Sequence, residues 1–260
     1  MKASPRVVVV TGSSSGLGQA IARRFLESGD RVVVHGFRNL AGMTETAVRS
    51  QTDRERLRAV VADVADADSR RRLVQAAFAW RGRVDVWINA AGADVLTGPA
   101  RELAFDAKLD SLWRVDVLGT IAISRDVAVR MAGQPASDTL PTIVNISWDQ
   151  AEQGMEGDSG QYFSATKAAI AAFSKSLAKT WGPKLRVNCL APGWIQTAWG
   201  RNAPPAWVQR AHGESMLQRW GEPQDIAEAA WMLADPRCEF INGQTLAVNG
   251  GWQPAYRRES

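Results

Sequence analysis

The sequence predicts a single-domain α/β protein: a doubly wound sheet of about seven parallel strands with helices on both faces. Three observations predict it. Short β-branched runs recur along the 260 residues, helical stretches with 3.6-residue apolar spacing separate them, and a glycine-rich turn directly follows the first run. Runs this apolar suit strands buried on both faces, and strand alternating with helix suits parallel crossovers.

Val7–Val10, bounded by Pro5 and Gly12, is the first strand. Thr11-Gly12-Ser13-Ser14-Ser15-Gly16-Leu17-Gly18 turns it into a helix over Gln19–Glu27. Val32–Val34 and Ala59–Ala62 are the second and third strands, followed by a helix over Ser69–Trp80. Val84–Ile88 is the fourth strand, and Leu112–Ala132 a long helix after it. Gly133–Leu140 reads as a surface loop before the fifth strand, Thr142–Ile146. Gly154–Gly160 reads as a second loop, before a helix over Gln161–Trp181. Leu185–Leu190 and Thr245–Val248 are the last strands. Between them, Trp194–Gly213 holds Pro204-Pro205 and is too long and irregular for a plain connection, so a substrate loop is expected at 194–213. No linker or repeat divides the chain, so residues 1–260 are expected to form one domain.

Composition excludes several classes. Hydrophobic content of 45% and charged content of 22% fit a soluble globule, and no apolar run is long enough to span a bilayer. Met1–Pro5 leads straight into a strand, so no signal peptide is expected. Cys189 and Cys238 give neither a disulfide framework nor metal-ligand spacing, and a reducing cytoplasmic location without a metal is expected. The net charge of +4 is spread over helix faces such as Arg70-Arg71-Arg72, so neither nucleic acid nor membrane is an expected partner. Eleven tryptophans against two tyrosines is unusual, and six of them lie beyond residue 190.

The Thr11–Gly18 turn carries the first chemistry. Its glycines allow a tight turn and close approach of backbone to a diphosphate, and the helix behind it offers unpaired N–H groups. The spacing Gly-x-x-x-Gly-x-Gly resembles the short-chain dehydrogenase/reductase family, a Rossmann fold. Asp63-Val64, Asn89-Ala90-Ala91-Gly92, Pro192-Gly193 and Asn249-Gly250-Gly251 follow their strands in the family's order, over about residues 5–252. The resemblance implies that Gly12, Ser14, Ser15, Gly16, Leu17 and Gly18 line the diphosphate and ribose, and that Asp63 and Val64 contact the adenine. It implies Asn89, Ala90 and Gly92 along the nicotinamide ribose, and Pro192, Gly193, Ile195 and Thr197 closing on the carboxamide. Asn89 alternatively caps its strand. An acid at the end of the second strand would select NADH, but His35-Gly36-Phe37-Arg38 has none. Arg38 could instead meet a 2′-phosphate, so NADPH is expected in preference to NADH; the alternative is that Arg38 is a solvated loop residue.

The catalytic positions depart from the family's. Most members use a tyrosine as acid or base, with a serine, a lysine and an asparagine. Lys167 stands at the lysine position, but the tyrosine position falls on Phe163, the serine position on Trp148 and the asparagine position on Asp116. Tyr162 is one residue early, turned by about 100° on a helix, but it lies near the helix start, where looser geometry could let it substitute as the acid. Four acids follow Trp148, namely Asp149, Glu152, Glu156 and Asp158. One of them, with Asp149 favoured, could replace the missing acid or bind a cation; the alternative is an exposed acidic loop.

An NADPH-dependent reductase is the expected function. A ketone needs a proton as hydride arrives, whereas an iminium ion does not, so an imine, iminium or activated carbonyl suits a site without tyrosine. Trp148, Trp194, Trp199 and Trp207 suggest a bulky, flat aromatic or cationic small-molecule substrate, unless they serve the core or an interface. A non-redox cyclase, dehydratase or isomerase, and a catalytically silent cofactor-binding protein, remain open alternatives. The resemblance also implies a homodimer or homotetramer, paired through the long helices at 112–132 and 161–181.

Overall fold

Val7–Val10 does become the first of seven strands in the computed structural model, which describes residues 4–49 and 54–252. The strands are β1 (Val7–Thr11), β2 (Arg31–Gly36), β3 (Leu57–Val61), β4 (Val86–Asn89), β5 (Thr142–Ile146), β6 (Arg186–Pro192) and β7 (Thr245–Val248). They form one parallel sheet in the order β3-β2-β1-β4-β5-β6-β7. Chain direction across the sheet reverses between β1 and β4, and such a switch point opens a crevice at the strands' carboxyl ends.

Side chains alternate across each strand, and both faces are apolar. Val8, Val10, Val32, Val34, Val86 and Ile88 face one core. That core is covered by α1 (Gly16–Glu27) and α9 (Pro223–Leu233), through Ile21 and Phe25 on one and Ile226, Ala230 and Leu233 on the other. These two helices also meet at their surface: Arg24 Nε donates to Glu228 Oε1 at 2.7 Å, and the guanidinium lies 4.3 Å from the Trp231 ring centroid. Val7, Val9, Val33, Trp87 and Ile143 face the second core. It is closed by α3 (Ala67–Arg81), α5 (Thr120–Gly133) and α6 (Gly157–Trp181). The remaining helices are α2 (Leu40–Arg49), α4 (Phe105–Leu112), α7 (Ala198–Arg201) and α8 (Pro205–Glu214).

Three segments differ from the sequence expectation. The helix expected over 112–132 begins at Phe105 and widens over Trp113–Gly119 into a π turn before α5. Apolar spacing continues through such a turn, so periodicity does not mark it, yet it buries Asp116 to 2% exposure. The loop expected at 154–160 ends early, because α6 starts at Gly157. The irregular segment 194–213 contains α7 and α8, with Pro205 in the first turn of α8 where its missing N–H costs nothing. Residues 1–3, 50–53 and 253–260 of the expected domain lie outside the described residues.

Candidate active site

The turn between β1 and α1 is shaped by contacts only glycine permits. Gly12 has φ +67°, and a Cβ on it would lie 2.6 Å from the Ala91 Cα. A Cβ on Gly18 would lie 2.4 Å from the Gly12 oxygen. Gly16 has φ +53° with open space where a Cβ would stand. Thr11 Oγ1 accepts from the Ala90 and Ala91 N–H groups at 3.1 Å, tying the ends of β1 and β4 together. Ser15 is exposed at the N-cap of α1, and Ser14 is buried with its carbonyl accepting from Asn39 Nδ2. An open turn at a helix N-terminus, continuous with the crevice, fits a dinucleotide diphosphate.

His35 supports this turn from beneath. It is 2% exposed, its Nδ1 accepts from the Gly12 N–H at 3.0 Å, and Nε2 lies 3.0 Å from the Ala62 carbonyl. That pair of bonds requires the neutral ring. Burial pushes its pKa down to about 4. Gly36 follows because a Cβ there would meet Met43 Sδ at 2.7 Å. Arg38 is exposed, stacked on Phe37, with its guanidinium 5.1 Å from that ring centroid.

The other sequence-predicted positions divide between backbone and packing. The Asn89 side chain turns into the core, donating to Ser124 Oγ and Asn145 Oδ1 and accepting from Trp87 Nε1, so the strand-anchoring alternative is the one its side chain serves. Val64 is buried and packs on Gly119, whose Cβ would lie 3.0 Å from the Val64 oxygen. Asp63 Oδ1 accepts from the Ala65 N–H.

Beyond the turn lies a cavity of about 940 Å³. Leu17, Trp148, Tyr162, Phe163 and Lys167 line it, with Pro192, Gly193, Ile195 and Thr197 along the β6 side. Lys167 Nζ donates to Asp116 Oδ2 at 2.8 Å, and Asp116 Oδ1 accepts from the Ala93 N–H at 2.8 Å. Gly92 leaves room for that carboxylate, since a Cβ there would lie 3.1 Å from Oδ2. The Lys167 side chain is 15% exposed and Asp116 3%, so the site holds a nearly buried ion pair with its ammonium end on the cavity. Ser147 Oγ donates to the Lys167 carbonyl. Phe163 stands one helical turn from Lys167 and packs edge-on against Trp148, 6.2 Å between ring centroids. The Tyr162 hydroxyl lies 2.9 Å from Ser159 Oγ, and its ring is buried beside Val95 and Leu112.

The acids after Trp148 do not reach this cavity. Asp149 turns behind Gly193, where Oδ2 accepts from Asn249 Nδ2 at 3.0 Å and Oδ1 is buried without a partner. Glu152 lies near Lys175, Glu156 pairs with Arg210, and Asp158 is exposed. The expectation of a cavity-facing carboxyl from Asp149, Glu152, Glu156 or Asp158 is therefore corrected. The strand end and the start of α6 send all four away, and among the described residues none of them lines the cavity. Burial does raise the Asp149 pKa to about 6, partly offset by the Asn249 bond.

Comparison with known proteins agrees with this geometry. The family described as Enoyl-(Acyl carrier protein) reductase matches residues 12–253. A Streptomyces violaceoruber protein named as ketoacyl reductase 2 of the granaticin polyketide synthase is 37% identical, over 94% of this chain and 95% of its own. A Brucella melitensis structure titled short-chain dehydrogenase/reductase SDR, glucose/ribitol dehydrogenase, superposes with a TM-score of 0.81 at 27% identity, covering 95% of this chain and 96% of that one. The chain belongs to the short-chain dehydrogenase/reductase family. It is an oxidoreductase of that family in fold and in sequence. A Pseudomonas aeruginosa RhlG structure, titled as an NADP active-site complex, is 25% identical with a TM-score of 0.80, covering 95% of each chain.

Within this reductase the far wall of the cavity is aromatic. Trp194, Trp199, Trp207 and Trp220 form a cluster with ring centroids 5.5–6.3 Å apart. All four line the cavity, the first three being residues of the expected substrate loop. Trp220 was not among the expected residues, because it follows the irregular segment and no spacing links it to the other three. Among the described residues no helix is long and apolar enough to cross a membrane, and no cluster of His, Cys, Asp and Glu could hold a metal ion.

Proposed function

We propose that the protein is an NADPH-dependent reductase of a bulky, flat, aromatic-bearing imine, iminium or activated carbonyl. The observation that carries this reading is the cavity wall: tryptophan faces, Phe163 and a Lys167 ammonium held by Asp116, with the four acids that follow Trp148 turned away. The Thr11–Gly18 turn would hold the diphosphate, Asn89–Gly92 backbone and Lys167 the nicotinamide ribose, and Pro192–Thr197 the carboxamide. The dinucleotide supplies hydride when bound. Trp148 and Phe163 keep water from the reacting face, and Lys167, fixed by Asp116, places positive charge beside it. Asp116 acts as a positioning residue, and Asp149 supports Gly193 and Asn249 from behind rather than donating a proton. A substrate that needs no strong acid suits this wall: tryptophan faces suit a flat ring, and the Lys167 ammonium suits an atom that gains negative charge as hydride arrives. Residues 194–213 act as the substrate loop of a single cytoplasmic domain.

Consumption of NADPH by pure protein, followed by absorbance over aryl-substituted cyclic imines, activated ketones and simple aliphatic ketones, tests the function. Turnover of the first two groups is expected. Equal turnover of unactivated aliphatic ketones would overturn the substrate reading. Tight NADPH binding with no oxidation by any of them would leave the non-redox reading in its place.

The position of Tyr162 gives a second expectation. Its hydroxyl is already paired with Ser159, so Tyr162→Phe is expected to keep the rate within about tenfold. A loss beyond about a hundredfold identifies the tyrosine as the acid instead.

Arg38 gives a third. No acid stands at the end of β2, and Arg38 is exposed beside Phe37, which supports a contact with a 2′-phosphate. Arg38→Ala is expected to weaken NADPH by about 1–3 kcal/mol and leave NADH affinity nearly unchanged. Titration of both cofactors checks this, and equal weakening of both defeats it.

We also propose a homodimer or homotetramer. Arg125, Val129, Phe173 and Trp181 border a groove between the outer faces of α5 and α6, where Val129 is 59% exposed. A second copy packing helix on helix would cover this face. A monomer by light scattering at micromolar concentration would contradict it.

A further inference from the structure

The tryptophan wall is held by charges that the chemistry above does not use. Glu214, at the end of α8, is 4% exposed. Its Oε2 accepts from Trp194 Nε1 at 2.8 Å, and its Oε1 accepts from Arg210 Nε at 2.7 Å. Arg210 donates on its other side to Glu156, the N-cap of α6, through Nη1 at 2.5 Å and Nη2 at 3.1 Å. The same guanidinium lies 5.2 Å from the Trp207 ring centroid and 5.9 Å from that of Trp194. One cation therefore joins the substrate loop, the helix that carries Lys167 and two faces of the cavity wall.

A buried carboxylate is costly unless it is paired and hydrogen-bonded, and here both of its oxygens are used. The indole N–H of Trp194 is a single donor, so its bond to Glu214 fixes the ring plane as well as the ring position. We propose that Arg210 and Glu214 are specificity-determining positioning residues, which set the width of the cavity by fixing the plane of Trp194 and holding α8 against the start of α6. The proposal rests on the reading of this cavity as the substrate site. Neither residue is among those lining the cavity, so both act through Trp194 and Trp207.

Two readouts test it. In protein without substrate, Arg210→Met and Glu214→Gln should shift tryptophan emission and increase acrylamide quenching. In a Trp194→Phe background the same changes should add little. In turnover, each should raise KM for the preferred aryl substrate about tenfold with kcat within about threefold, and should flatten the preference between large and small aryl groups. Arg210→Lys, which keeps the charge but not the fork, should restore less than half of the preference. Circular dichroism confirms that each variant is folded, and Arg210→Lys serves if Glu214→Gln is not. Unchanged emission and unchanged preference in folded variants would overturn the proposal and leave Arg210 as a surface ion pair. If emission shifts but Trp194→Ala leaves the preference unaltered, the cavity is not the substrate site, and the specificity claim falls with it.

Discussion

Replacing Lys167 by methionine is expected to lower the unfolding free energy by about 3–5 kcal/mol and turnover by about 10²–10³-fold. The stability term comes from Asp116. Its side chain is 3% exposed, with Oδ2 on the ammonium and Oδ1 on the Ala93 N–H. Removing the ammonium leaves a buried carboxylate with the Ala93 N–H as its remaining partner among the described residues. The paired change Lys167→Met with Asp116→Asn should recover most of the stability, because the amide still accepts from Ala93 and no charge is stranded. It should not recover turnover. Urea unfolding of the wild type, the single variants and the double variant measures the coupling directly. A single Lys167→Met variant within about 1 kcal/mol of wild type would mean that the two groups are not paired in solution.

The second large effect concerns pH, where His35 and Asp149 act in opposite directions. Burial lowers the His35 pKa from 6.5 to about 4, so between those values the unfolded chain binds the extra proton. Its contribution is present above pH 6.5 and is lost as pH falls toward 4, by about 3 kcal/mol. Burial raises the Asp149 pKa from 3.8 to about 6, so between those values the native protein binds the extra proton. Stability from that group is present below pH 3.8 and is lost as pH rises through 6, again by about 3 kcal/mol. The two slopes nearly cancel in the wild type. Asp149→Asn should remove one of them: the variant is expected to be more stable at pH 7 and to lose about 3 kcal/mol more than wild type between pH 6.5 and 4. His35→Asn should show the reverse trend, gaining relative to wild type as pH falls. Chemical denaturation at four pH values across that range reads both, and parallel profiles for all three proteins would rule the account out.

Much of this arrangement was legible in the chain. The valine runs marked the buried parallel strands because each fills both cores at once, and Thr11–Gly18 could be placed by its glycines, of which Gly12 and Gly18 stand where a Cβ would strike backbone and Gly16 has positive φ. Lys167 and the tryptophans of 194–207 reach the cavity as their positions suggested. Direction was less legible than position. Nothing in Asp149-Gln150-Ala151-Glu152 says whether a carboxyl turns toward a crevice or behind it, since a short helical turn there rotates each side chain separately. The π turn that buries Asp116 keeps the apolar pattern of an ordinary helix, so its register could not be read. The Glu214–Trp194 bond joins two residues 20 apart across α7 and α8, a pairing that no periodicity signals.

The pairing of α1 with α9 bears on how the chain acquires its cofactor turn during synthesis. α1 opens the protein's first crossover, yet Ile21 and Phe25 are covered by Ile226, Ala230 and Leu233 from near the other end. A nascent chain that stops before residue 223 has the whole Thr11–Gly18 turn and the strands behind its helix, but lacks the cover that Ile226, Ala230 and Leu233 give to Ile21 and Phe25. The Thr11–Gly18 turn is thus among the first segments made, while part of the cover on its helix is among the last. C-terminal truncations that remove α9 are expected to lose dinucleotide binding before they lose the strands at the centre of the sheet.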